Sequence, residues 1–129
     1  MQYGYSKTTE RSFEEAVEKI KETLSQEGFG VLTEIDVKKT MKEKLGEEYP
    51  PYLILGACNP QFAHQALQAE KEIGLLLPCN VLVYEEDGKT HLAVILPTAA
   101  MSVVESEALA SIAGEVEERL KRAVAAAAA

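Results

Sequence analysis

The residue types able to do chemistry gather at two Cys-Asn corners. Cys58-Asn59-Pro60 and Cys79-Asn80 hold both of the chain's two cysteines, and His64 follows the first corner. A thiol just ahead of a helix N-terminus is favoured as thiolate by the amide dipoles, so Cys58 reads as a candidate nucleophile or redox thiol with Cys79 as its partner. The competing reading is small apolar packing, because free cysteines are among the most buried residue types. Cys58, His64 and Cys79 can also offer thiolate and imidazole to zinc or copper, but neither a close Cys pair nor a His pair supports metal ligation. The stretch between the cysteines is too long for a Cys-x-x-Cys redox motif.

As a base for Cys58, His91 is preferable to His64, which helical spacing turns to a poorly matched face. Asn59 and Asn80 carry amides suited to a ligand or an oxyanion, and equally suited to capping and turns. Inert packing of the thiols is the leading reading. No catalytic residue, metal or cofactor is assigned. Cys58, Asn59, His64, Cys79 and Asn80 stand as the candidate ligand-binding positions.

These corners need a scaffold, and its pieces are legible. Tyr3 and Tyr5 share one face of a first strand over residues 2–8. Ser12 with Glu15 forms a capping box, and Phe13, Ala16, Ile20 and Leu24 follow at helical spacing until Gly28. Phe29, Val31, Thr33 and Ile35 alternate as a second strand. Asp36 caps a short helix that ends near Gly46.

Pro50-Pro51 leads into the apolar strand 52–57, which suits the interior of a sheet. Asn59 as N-cap and Pro60 at the first helical position open a helix expected to run to Ile73-Gly74, its alanines allowing close packing on the sheet. Asp87-Gly88 marks a type I′ hairpin that sets Glu86 opposite Lys89 and Tyr84 opposite His91. One hairpin face carries Cys79, Val81, Val83, Leu92, Val94 and Leu96, and the other Asn80, Leu82, Tyr84, His91, Ala93 and Ile95. Both are substantially apolar, so the hairpin lies inside a sheet or its second face meets a partner. Ser102 with Glu105 reads as another capping box before a long amphipathic helix, whose alanine tail (122–129) is expected to fray.

The expected architecture is a single α+β domain over 1–129. Its sheet is mixed or mostly antiparallel, of about five strands, with helices mainly on one face. A chain of 129 residues buries enough surface to fold without disulfide or metal. The net charge of −8, with no basic stripe interleaved with aromatics, argues against nucleic acid as partner. The start lacks a secretory pattern and no apolar run suits a bilayer, so no membrane partner and a cytoplasmic location are expected.

Ala57-Cys58-Asn59-Pro60, then Ala63, Ala66, Leu67, Ile73-Gly74 and Leu77-Pro78-Cys79-Asn80-Val81, give the chain a resemblance to domain-of-unknown-function family number 302, over nearly its whole length. The resemblance implies a compact α+β domain that forms a homodimer, with no established activity. The leading expectation is a self-associating ligand-binding or interaction module. The alternatives are a thiol-dependent enzyme or redox protein using Cys58 with Cys79, and a metal-binding protein.

Overall fold

The computed structural model describes residues 2–129. Five strands, β1 (Gly4–Thr9), β2 (Gly30–Asp36), β3 (Tyr52–Cys58), β4 (Cys79–Glu86) and β5 (Lys89–Ile95), form one sheet in the order β1-β5-β4-β3-β2. Every neighbouring pair is antiparallel. The β4–β5 hairpin occupies the centre of the sheet, as its two apolar faces require. Its turn has positive φ at Asp87 and Gly88, and Glu86 faces Lys89 while Tyr84 faces His91. The sheet is thus antiparallel throughout, the second of the two forms the alternation allows.

Helices α1 (Phe13–Gln26) and α5 (Glu107–Ala128) pack against each other and cover one face. Ser12 and Glu15 form the reciprocal capping box at the start of α1, and Gly28 at φ 86° lets the chain turn out of its end. Ile20, Leu24, Leu120 and Val124 meet Leu55, Val81, Val83 and Leu92 in the main apolar cluster. The two helices are also tied by the buried Thr23, whose hydroxyl donates to the Ala123 carbonyl at 2.9 Å.

The alanine tail continues α5 to Ala128. Ala127 is buried, and Arg11 donates to the carbonyls of Ala127 and Ala129. Small side chains let the last turn of α5 lie close to the core. No helix among the described residues is long and apolar enough to cross a membrane.

Two helix boundaries depart from expectation. The long helix starts after Ser106, whose hydroxyl accepts from the Leu109 amide, and Ser102 caps nothing. Ahead of Ser106, one helical turn, α4 (Pro97–Ala100), and a 3-10 turn, Met101–Val103, lead into extended backbone at Val104. The Ser102 hydroxyl donates back to the Ala99 carbonyl.

The helix opened by Asn59 and Pro60, α3 (Pro60–Ala69), also ends early. Glu70 adopts extended backbone, and Ile73 belongs to a following 3-10 turn, Lys71–Leu76. Chiefly, α3 packs against α5 and not on the sheet. Its residue Ala66 joins Ile73, Met101, Leu109 and Ala113 in a second apolar cluster, separate from the main one.

Helix α2 (Val37–Leu45) buries none of its residues. Asp36 caps it and Gly46 at φ 67° ends it, as the sequence indicates.

Candidate functional site

A cavity of about 320 Å³ lies at the seam between the two apolar clusters. Phe29, Ala57, Cys79 and Val116 face it from the main cluster, and Ala66, Met101 and Ala113 from the other. Alanine is the reason it exists. At Ala57, Ala63, Ala66 and Ala113 the side chains stop at a single carbon where larger residues would close the gap between sheet, α3 and α5.

The first Cys-Asn corner forms part of the rim. The Asn59 side chain accepts from the Phe62 amide at 3.2 Å, which fixes the start of α3 and places the Phe62 ring in the wall. Arg119 lies over that ring, 5.1 Å from its centroid, and is engaged by Glu115.

A β-bulge supplies a further element. Val31 pairs with Ala57 and Thr33 with Gly56, so Leu32 has no partner across the ladder. An unpaired bulge residue is re-aimed out of the strand's alternation. Leu32 accordingly lines the cavity mouth while 69% exposed, together with the exposed Leu67 of α3. The regular alternation expected for the second strand breaks at this residue.

The candidate positions divide. Cys58, Asn59 and Cys79 line the cavity together, because Ala57 pairs with Cys79 and brings both sulfurs to one end of the sheet. His64 is exposed on α3 and does not line it. Asn80 points to the opposite sheet face, where it borders a groove with Tyr3, Tyr52, Leu82 and Tyr84. The parity of a strand separates it from Cys79.

His91 sits at the far end of the sheet. It stacks on Tyr84 at 4.8 Å, and Tyr84 on Tyr52 at 5.2 Å. Tyr52 and Cys58 are the two ends of β3, so His91 is removed from Cys58 by roughly 20 Å at ~3.3 Å per residue. The Cys58–His91 pair does not form. Among the described residues no group of three or more His, Cys, Asp or Glu could hold a metal ion.

Burial also reverses the electrostatic expectation for the thiols. Desolvation raises the Cys58 pKa and outweighs the lowering expected ahead of a helix. Burial first, and Cys58 second, push Cys79 from an ordinary 9.0 to about 11. Both sulfurs are therefore neutral thiols at pH 7.

Two measurable consequences follow. Iodoacetamide should alkylate both cysteines more slowly than a free thiol at pH 7, with Cys79 reacting only towards its raised value. A Cys58 that reacts as fast as free cysteine would contradict this. Because the folded-state value of Cys79 lies above its ordinary one, the stability contributed by its neutral form is whole below pH 9 and lost as pH rises towards 11. Urea titrations should show that loss, about 2–3 kcal/mol, in the wild type and not in Cys79→Ala.

The residues that sequence reasoning passed over are the apolar ones, such as Ala66, Met101, Ala113 and Leu32. For Ala66 the local signal is the surplus of small side chains on α3, which equally suits close packing, and the other three carry none.

The family profile described as "Domain of unknown function DUF302" matches residues 5–127. The chain is 34% identical to the uncharacterized conserved protein DUF302 from Bacillus stearothermophilus, whose crystal structure superposes with a TM-score of 0.91 over 97% of this chain and 98% of that one. No curated protein matches. With the match spanning β1 to the last turns of α5, and the cavity built from within it, this chain belongs to the DUF302 family, an uncharacterised α+β domain with no established activity.

Proposed function

We propose that this domain is a small-molecule binding module that pairs with a second copy of itself. The observation that carries the binding reading is the cavity at the seam of the two clusters. It is concave, apolar, and edged by a few polar groups, the ordinary character of a ligand site. Xenon enters apolar cavities and tests this reading directly. Saturable 129Xe shifts are expected in the wild type and should vanish when the space is filled by Ala63→Phe. Unsaturable, non-specific shifts identical in both proteins would refute the reading.

The pairing rests on the other face of the sheet. Ile54, Leu82, Tyr84, Ala93 and Ile95 project there and are only half-buried, while α1 and α5 lie on the opposite face. Half-buried apolar residues at the middle of a sheet favour a second sheet or a second subunit. An isologous dimer sets this face against its own copy. The basic run of α2, with Lys38, Lys39, Lys42 and Lys44, and the acidic hairpin tip, Glu85 to Asp87, offer opposite charges to such a copy.

The thiol-enzyme alternative loses its support with the raised thiol pKa values and the distant His91. The reading keeps Cys58, Asn59 and Cys79 as binding positions and leaves His64 and Asn80 outside the cavity.

A further inference from the structure

Four features of the seam cavity bear on what it holds: its charge, its size, its mouth and the residues that adapt to a guest. No lysine, arginine, histidine, aspartate or glutamate lines it, and its polar groups are confined to the Thr33 hydroxyl, the Asn59 amide and two thiols. Moving an ion into such a place without a partner costs far more than an apolar contact returns. An apolar cavity of about 150 Å³ takes up benzene. A volume of about 320 Å³ therefore suits a molecule of twice that size.

The mouth is not sealed by the fold. Leu32, turned out by the bulge, and Leu67 leave apolar surface in water at the rim. Inside, the Phe62 ring offers a flat wall, and Met101 is the side chain best able to reshape itself round different guests.

We infer that the cavity selects neutral, apolar molecules of roughly a dozen heavy atoms, carrying at most one hydroxyl or carbonyl, held beneath a lip formed by Leu32 and Leu67. This rests on the binding reading above and adds the ligand's class. The bulge in β2 has a role in this account: it places Leu32 over the guest. Anionic relatives of the same size are rejected because their charge would have to be buried without a counter-ion.

The test compares 2-naphthol with 2-naphthoate at pH 7 by calorimetry, with amide shifts in 15N spectra locating the site. Expected is binding of 2-naphthol about tenfold or more tighter than 2-naphthoate, with shifts at Leu32, Phe62 and Leu67. Ala63→Phe should abolish it. Leu32→Gln, which leaves the interior intact, should weaken it about fivefold, so the test stands even if the filled variant folds poorly. Equal binding of the two probes overturns the neutral class and leaves ligand binding in place. Failure of both probes while xenon still enters overturns the inference alone. Failure of xenon as well takes down the binding reading beneath it.

Discussion

Gly56→Ala is expected to cost about 2–3 kcal/mol of stability, a fall in Tm of roughly 6–12 °C for a domain of this size. Gly56 lies in β3, paired with Thr33 on one side and Asn80 on the other. A methyl group added there would run into the Thr33 hydroxyl oxygen and would approach the Pro78 ring at 2.7 Å. Pro78 has a closed ring that cannot swing aside as a flexible side chain would, and the Thr33 hydroxyl must leave its rotamer to clear the methyl.

Gly30 provides the internal comparison. It lies in β2, and an added Cβ there meets nothing within 4 Å. Gly30→Ala should change stability by less than about 0.5 kcal/mol. Thermal melts of the two variants decide the matter: equal effects would show that glycine's backbone freedom, and not close approach, is what β3 requires. Thr33 and Pro78 also line the cavity. Gly56→Ala should therefore lower 2-naphthol affinity along with stability.

Leu82→Asp is expected to turn the proposed dimer into a monomer. Leu82 projects from central strand β4 on the face opposite α1 and α5, between Ile54 of β3 and Ala93 of β5. In a two-fold interface every substitution occurs twice, and an unpaired carboxylate would be buried on both sides. A central, fully desolvated interface residue can cost about 2 kcal/mol when disrupted, and its two copies together about 4 kcal/mol, so the dissociation constant should rise about a thousandfold. Sedimentation velocity at micromolar concentration reads this directly. Ser25→Lys, on the exposed side of α1, should leave the dimer intact. A wild-type protein that sediments as a monomer removes the self-association half of the proposal without touching the cavity.

Much of this architecture could be read from neighbours a few residues apart. The Ser12–Glu15 box, the Asn59-Pro60 helix start, the left-handed Gly28 and Gly46, and the Asp87-Gly88 turn with its register are all contacts over short stretches of chain. Their geometry depends on residue type and spacing alone. The two-sided apolar hairpin belongs with them, since period-two alternation is a local property and led correctly to the centre of the sheet.

Where local signals competed, the sequence was ambiguous. Ser102 and Ser106 both offer a helix cap. The later one prevails because Met101 and Leu109 are buried together in the second cluster, and the backbone must turn between them. Leu32 looks like any residue of an alternating strand until the pairing of β2 with β3 leaves it over.

The chain's local chemistry thus determined its strands and main helices, most of their caps, the hairpin register and the apolar second face. The tertiary structure alone decided that Cys58 and Cys79 share a cavity while His64, Asn80 and His91 lie elsewhere. It alone made both thiols weaker acids, and it left alanine-sized gaps to add up to a site. The reason is physical: a cap or turn needs only adjacent residues, whereas a cavity and a desolvated thiol are sums over side chains far apart in sequence, which exist only once the chain has closed around them.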